Sequence, residues 1–244
     1  MARSVGAVMK VSRRQVLRRR LAGAGAVAVI LLAVYLVFLR NSSLFAVDQV
    51  EVSGVTANQE RITAALVRAS EDMTTLHVRE DDLRKAVGSF PTVAALSTST
   101  DFPHGLKIEV TERPPVAVAK IDGEPTPVSA DGFVLTGIDF DPKELPSLDA
   151  DLSEDGRLGG EGASQAAILG AAPEELRPRL RSATWDLDRG GVVVDLDGAP
   201  ELRFGEGDRA ADKWEAAVTV LADPDLGSPG YVDVSVPGRP VSGS

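Results

Sequence analysis

A run of uncharged residues near the start of the chain constrains the fold more than any other feature. The run begins at Leu21 and ends at Leu39, and its 19 residues include no charged side chain and no proline. As a helix it would be about 28 Å long, roughly the hydrocarbon thickness of a bilayer. The apolar core of a cleaved signal peptide, the alternative, is usually only about 7–15 residues long. The run therefore favours an uncleaved transmembrane helix over residues 21–39.

The charge of the chain changes sign across this run. Residues 1–40 hold eight Lys and Arg and no Asp or Glu, whereas the remaining 204 residues hold 18 basic and 36 acidic side chains. Positive charge is retained on the cytoplasmic side of a membrane, so residues 1–20 are predicted to be a cytoplasmic basic tail. The rest would lie outside, as in a single-pass type II protein of the plasma membrane. The acidic part also argues against nucleic acid as a partner.

The hydropathy pattern after the predicted membrane helix indicates a compact α+β unit over residues 44–113. Alternation over residues 49–53 predicts a strand, and an apolar stripe after Asn58, the expected N-cap, predicts a helix. A second short helix and two strands, residues 92–99 and 106–111, complete a β-α-α-β-β order. Such an order favours a sheet with helices on one face.

The pair Pro114-Pro115 predicts a domain boundary, because proline cannot donate to a strand ladder. Residues 114–236 are predicted to form a mainly antiparallel β-domain with one or two helices, and residues 237–244 a flexible tail. Asp208 is the expected N-cap of a late helix, and the acidic stretch 149–164 is expected to be a loop. The candidate strands are residues 116–121, 127–130, 133–136, 182–187, 191–196, 201–204 and 231–236.

The last candidate strand is predicted to be a partner-binding edge. Its valines alternate with polar residues, and nothing in residues 237–244 is expected to cover its outer side, so a partner strand could be added there. The alternative is an ordinary terminal strand. Arg209 and Lys213, on the polar side of the late helix, are further candidates, with solvated surface charges as the alternative. The predicted edge residues are Tyr231, Val232, Asp233, Val234, Ser235 and Val236.

The sequence contains no recognisable catalytic signature. It has no S-x-x-K, G-x-S-x-G, H-E-x-x-H or Walker A pattern, and no cysteine. Two pairs of carboxylates are present, Asp186 with Asp188 and Asp195 with Asp197. A role in turns explains both pairs better than acid–base catalysis does. We therefore predict no catalytic residue, no metal ligand, no cofactor and no small-molecule substrate.

Several segments resemble the FtsQ/DivIB family of bacterial division proteins. Residues 106–117 read LKIEVTERPPVA and resemble the family's I-x-V-x-E-R-x-P-V-A signature, with Glu112, Arg113 and Pro115 at motif positions. Asp131 and Gly132 resemble the family's hairpin turn. A basic tail and one membrane helix precede these segments, as they do in the family.

The resemblance implies a POTRA domain followed by an FtsQ β-domain. It also implies a non-enzymatic scaffold of the division machinery, at the plasma membrane of the septum. Such a scaffold would bind FtsB and FtsL outside the membrane by strand addition and act indirectly on FtsW and the septal transpeptidase. The alternatives are a membrane-anchored cell-wall enzyme of unrecognised type and a POTRA protein of an export system.

Overall fold

A computed structural model describes residues 26–29, 31, 33, 35, 43–153 and 156–244. The predicted cytoplasmic tail, residues 1–20, and most of the predicted membrane helix lie outside this part of the chain. Within the described residues, no helix combines the length and the apolar character needed to cross a membrane.

The first module has the predicted β-α-α-β-β order. Its elements are β1 (Gln49–Ser53), α1 (Gln59–Ser70), α2 (Glu80–Val87), β2 (Val93–Asp101) and β3 (Gly105–Glu112), after a 3-10 turn at Ser43–Phe45. The sheet order is β1-β3-β2, with β3 parallel to β1 and antiparallel to β2.

Apolar side chains one helical turn apart hold the two helices on this sheet. Ile62 and Leu66 on α1 are fully buried, as is Leu83 on α2, and all three pack with the inward-facing side chains of β3, including Ile108. Acidic residues begin α2 and basic residues end it, which suits the helix dipole. The predicted placement of both helices on one face is therefore confirmed.

The second module is built on one eight-stranded sheet in the order β11-β10-β9-β8-β7-β6-β4-β5. The strands are β4 (Pro115–Ile121), β5 (Glu124–Ser129), β6 (Ser147–Leu148), β7 (Leu180–Asp186), β8 (Gly191–Leu196), β9 (Glu201–Gly205), β10 (Tyr231–Asp233) and β11 (Val241–Gly243). The helices are α3 (Gly160–Gly170) and α4 (Ala210–Leu221), with a 3-10 turn at Arg177–Arg179.

The sheet is mixed: four of its seven strand pairs are antiparallel, in line with the prediction of a mainly antiparallel domain, and three are parallel. β6 is parallel to both β4 and β7, and β10 is parallel to β9. Parallel neighbours need a crossover connection, and α3 and α4 supply two of them. Part of α3, from Gly160 onward, lies in the stretch expected to be a loop. Its Ala- and Gly-rich sequence has little amphipathic contrast, so the crossover was not predicted.

Both helices pack on one face of the sheet. The indole N–H of Trp214 on α4 donates to the carbonyl oxygen of Ile168 on α3 at 2.7 Å. The Trp214 ring also meets that of Phe204 on β9, with 4.7 Å between the centroids. Because Trp214 and Phe204 are fully buried, this cluster fixes α4 against the C-terminal part of the sheet.

Three local predictions need correction. Residues 133–136 do not form a strand, and only Phe133 and Val134 among them make isolated bridges. Asn58 occupies the N-cap position of α1 as predicted, but its side chain makes no capping hydrogen bond: its backbone is left-handed (φ 52°), and its side-chain amide donates to the carbonyl oxygen of Thr136 at 2.9 Å. Asp208 does not cap α4 either, because Arg209 occupies the N-cap position and the Asp208 carboxylate binds Lys213.

Candidate partner-binding edge of the eight-stranded sheet

The edge formed by β5 is closed. Pro125 and Pro127 have no N–H, and the Pro127 carbonyl oxygen accepts a hydrogen bond from the N–H of Leu135 at 2.9 Å. Backbone groups two residues apart point the same way, so residue 125 also faces outward and offers no donor there. Leu135 is buried, which fixes the covering segment in place. A partner strand therefore finds no continuous row of hydrogen-bonding groups on β5.

The opposite edge is formed by β10 and β11. β11 is antiparallel to β10, with Tyr231 opposite Gly243 and Asp233 opposite Val241. β11 pairs with β10 alone, and no described strand lies on its outer side. Two predictions are corrected by this hairpin: the outer side of β10 is covered by the chain itself, and residues 241–243 of the predicted flexible tail form a strand.

The predicted edge strand also ends earlier than expected. An Asx turn, in which the Ser235 N–H donates to the Asp233 carboxylate at 2.9 Å, ends β10. Val234 is fully buried, and its N–H donates to the carbonyl oxygen of Arg203 on β9 at 2.8 Å. Val236 begins the turn that leads to β11. Val234, Ser235 and Val236 are therefore not part of the strand edge.

Tyr231 is the most distinctive side chain at this edge. The Arg203 guanidinium lies 3.8 Å from its ring centroid, and the Arg203 Nε is 2.8 Å from a carboxylate oxygen of Glu201. On the other side, the ring covers Gly243 so closely that a Cβ there would be 2.6 Å from Tyr231 Oη. The structure thus joins Tyr231 to two charged side chains, Arg203 and Glu201, that sequence reasoning did not include.

Only one of the two predicted basic residues on α4 faces solvent. Arg209 is exposed and pairs with Asp212, with 2.9 Å between Nε and Oδ2. Lys213 is 2 % exposed, and its ammonium donates to the Glu206 carbonyl oxygen at 2.8 Å and to Asp208 at 2.7 Å. The prediction that Lys213 contacts a partner is wrong, because its buried ammonium instead stabilises the loop before α4 through these two hydrogen bonds.

The Lys213 ammonium also lowers the pKa of Asp208, by its hydrogen bond first and its charge second.

A cavity of about 450 Å³ separates Arg209 and Asp212 from Pro237 and Gly238 in the turn before β11. Arg209 therefore lies near the hairpin that carries Tyr231, which is required if both residues are to contact the same partner.

The five motif residues lie at the joint between the two modules, far along the chain from the open edge. The Glu112 carboxylate accepts hydrogen bonds from the N–H groups of Thr56 and Ala57, at 3.1 and 2.9 Å, and from the Thr56 hydroxyl. It therefore fixes the β1–α1 connection of the first module. Pro115, three residues further on, begins β4 of the second module.

Arg113 connects the same joint to the hairpin after β5. Its Nε lies 2.8 Å from the Asp131 carboxylate, and its guanidinium lies 4.0 Å from the Phe133 ring centroid. It also donates to the carbonyl oxygens of Pro91 and Val93. Burial raises the pKa of Asp131, but hydrogen bonds from Ser129 and Arg113 outweigh it, so the pKa lies below its ordinary value.

Gly132 follows Asp131 with φ +80°, a conformation that favours glycine. The motif residues are thus brought together as structural elements of a joint. The sequence placed them in two separate family motifs but gave no sign of the contacts that connect them.

The paired carboxylates behave as turn and ion-pair residues. The Asp186 carboxylate accepts the N–H groups of Asp188 and Arg189 and pairs with the Arg189 guanidinium, whose hydrogen bond lowers the pKa of Asp186. Asp197 pairs with Arg181 at 2.7 Å. Over the part of the chain that the structure describes, no group of three or more potential ligands is placed to hold a metal ion.

Sequence reasoning missed β11 and the two residues that pack against Tyr231, Arg203 and Gly243. A signal for the hairpin is present, since Pro237 and Gly238 are typical turn residues and Val241 favours a strand. Three residues are too few to show a period, however, and the pairing partner lies ten residues earlier.

Comparisons with known proteins agree with this architecture. Residues 45–113 match the model of the FtsQ-type POTRA domain, and residues 117–235 match that of the C-terminal part of cell division protein FtsQ/DivIB. The chain is 28 % identical to cell division protein FtsQ of Streptomyces venezuelae over 222 residues, covering 84 % of this chain and 76 % of that protein.

Two further relatives carry the same name. Cell division protein FtsQ of Mycolicibacterium smegmatis is 30 % identical over 78 % of this chain and 55 % of its own length. That of Streptomyces coelicolor is 25 % identical over 88 % of this chain and 87 % of its own length.

The FtsQ-type POTRA match and the FtsQ/DivIB C-terminal match together indicate a two-module cell-division protein. The two domain matches together span most of the chain and keep the order that the family has. The chain belongs to the FtsQ/DivIB family of cell-division proteins.

Proposed function

We propose that this protein is a non-enzymatic scaffold of the division machinery that binds the FtsB–FtsL pair outside the membrane by strand addition at the β10–β11 edge. The observation that carries the proposal is the contrast between the two edges of the sheet. Two prolines remove outward donors from β5, whose outer side is covered, whereas β10 and β11 contain no proline and β11 has no described neighbour on its outer side. Backbone hydrogen bonds at such an edge supply affinity, and adjacent side chains supply selectivity.

The chemistry of the edge suits a polar partner strand. Tyr231 offers a half-buried aromatic ring on which the Arg203 guanidinium stacks, and Arg209, which is paired with Asp212, lies near the turn that leads to β11. Aromatic and Arg side chains of this kind dominate the energetics of many interfaces. Tyr231 is thus the expected centre of the contact, and Arg209 a contributor at its rim.

A scaffold function is also supported by the state of the carboxylates. Each carboxylate with a resolved pKa shift, namely Asp131, Asp186 and Asp208, has a basic partner and a lowered pKa. A general acid in hydrolysis requires the opposite, a pKa raised by an apolar site. Through FtsB and FtsL the protein would act indirectly on FtsW and the septal transpeptidase, from a position in the plasma membrane at the septum with its N-terminus in the cytoplasm.

The proposal is tested by two measurements on the full chain. A fluorescent fusion in dividing cells is expected to form a midcell band, and diffuse envelope fluorescence would count against a septal function. In a binding assay with the extracytoplasmic part of FtsB from the same organism, Tyr231→Ala should weaken binding at least about tenfold. The matched control is Thr184→Ala on β7, an exposed side chain remote from the edge. Equal affinity for both variants would exclude Tyr231 from the contact.

A further inference from the structure

The terminal strand β11 is held weakly for a strand of a folded domain. It has three residues, it pairs with β10 alone, and Val241 is 56 % exposed. None of its residues is buried. Elements with little buried apolar surface and exposed backbone hydrogen bonds open locally at low free energy. β11 is therefore the strand of this sheet that separates most readily from its neighbour.

β11 also occupies the best position for an added strand. The Val234 N–H points to β9, so alternation directs the N–H groups of Tyr231 and Asp233 towards β11. Val232, between them, is fully buried and anchors β10 in the core. A strand beside β10 is thus supported by a fixed strand, whereas a strand outside β11 would rest on three loosely held residues.

The position opposite Tyr231 accepts only a very small residue. The Tyr231 ring lies over Gly243, where a Cβ would meet three ring and hydroxyl atoms at 2.6 to 2.8 Å. The ring is restrained from moving aside because Arg203 stacks on it and is itself paired with Glu201. An aromatic ring that covers a glycine on the neighbouring strand is a known way to fix register at an edge.

We infer that β11 is a placeholder: the partner strand displaces it from β10 and presents glycine opposite Tyr231, as β11 itself does. This inference rests on the proposed function, and it specifies where the partner pairs and what its strand must contain. The apparent affinity of the partner is then reduced by the fraction of molecules in which β11 is in place.

A reversible lock tests the displacement. The chain has no cysteine, so Asp233→Cys with Val241→Cys, which are directly opposite each other, would give a single disulfide that holds β11 on β10. In the full chain we expect the oxidised form to lose binding of the FtsB extracytoplasmic part at least tenfold, and the reduced form of the same protein to recover it. Equal binding by the oxidised and reduced forms would overturn the inference while leaving the proposed function intact.

Removal of β11 gives the complementary result. A chain that ends at Gly238 should bind FtsB about tenfold more tightly than the full chain, and Gly243→Val should act in the same direction. Gly238→Ala is the matched control, since a Cβ there meets nothing within 4 Å. Loss of binding in the shortened chain would overturn the inference in favour of pairing outside β11. Failure of every form, including the unmodified chain, would overturn the proposed function and this inference with it.

Valine scanning of the FtsB segment tests the glycine requirement. We expect one position, occupied by glycine, at which valine abolishes binding to the unmodified chain. Tyr231→Ala should restore tolerance at that position, because the ring that excludes the side chain is gone. Valine tolerated at every position would contradict the requirement.

Discussion

The two edges of the eight-stranded sheet are built in opposite ways. At the β5 edge, prolines remove donors and the segment at Leu135 occupies the remaining acceptor. At the β11 edge, a three-residue strand is bonded on one side only. Edge strands attract unwanted pairing unless they are blocked, so an edge left open in a sheet whose opposite edge is blocked indicates where pairing is useful.

The comparison also separates two kinds of sequence signal. The family signature residues Glu112, Arg113 and Asp131 lie at the closed end, where they connect the POTRA module to the β-domain. The open end has no comparable signature. Changes at the closed end should therefore reduce the stability of the fold, and changes at the open end should alter partner binding.

The largest effect on stability is expected from Arg113→Ala. The Arg113 side chain is 15 % exposed and donates to Asp131 and to two partly buried carbonyl oxygens, so its loss leaves those two oxygens without this donor. We expect a loss of about 3 kcal/mol in the free energy of unfolding, measured by urea denaturation of the full chain. The control Arg181→Ala removes an exposed ion pair and should cost less than about 1 kcal/mol. Similar losses of unfolding free energy for the two variants would show that Arg113 contributes no more to stability than an exposed ion pair does.

A smaller loss is expected from Glu112→Ala. Its carboxylate accepts from Thr56 and Ala57, and hydrogen bonds to a charged group contribute about 1.5–3 kcal/mol. Because Glu112 is partly exposed, we expect a loss near the lower end, about 1.5 kcal/mol, in the same denaturation assay. Glu109→Ala, whose carboxylate makes one long contact with Ser97, is the control. Affinity for FtsB should not change. A change in affinity would mean that the joint is energetically coupled to the open edge.

Acid should weaken the closed end through Asp131. Its pKa lies below the ordinary value of 3.8 in the folded chain, so it adds stability above about pH 4 and loses that contribution as the pH falls through the folded pKa. A pH series of urea denaturation should show a smaller acid-induced loss for Asp131→Asn than for the unmodified chain. Asp208→Asn should give a separate reduction, since Lys213 lowers that pKa independently. Identical pH profiles for Asp131→Asn and the unmodified chain would contradict this assignment.

The smallest effect is expected from Pro125→Val at the closed edge. The change restores one outward N–H, but the bond between Pro127 and Leu135 still covers the rest of the edge. We expect stability to change by less than about 0.5 kcal/mol and light scattering to show no new dimer. A dimer would show that one proline alone closes this edge and would weaken the comparison.

The sequence predicts the POTRA module well because its elements are long enough to show a period. The alternation of Leu106, Ile108 and Val110 and the stripe at Ile62 and Leu66 correspond to buried faces in the structure. In such elements burial and periodicity carry the same information.

The open edge could be predicted only in part. Tyr231 to Asp233 form a strand as expected, yet its cover by β11 depends on pairing between short segments that have no period of their own. Lys213 was misplaced because a lysine on a helix is usually solvated, and its binding to the Glu206 carbonyl oxygen is a tertiary contact. The contacts of Arg113 were likewise invisible, because they join residues about 20 positions apart.

Hydrogen exchange of the full chain, with and without the extracytoplasmic part of FtsB, tests the central claim most directly. Partner binding at the open edge predicts slower exchange of the amides of residues 231–233 and faster exchange of those of residues 241–243. Slower exchange confined to β2 of the POTRA module, with residues 231–243 unchanged, would contradict the claim.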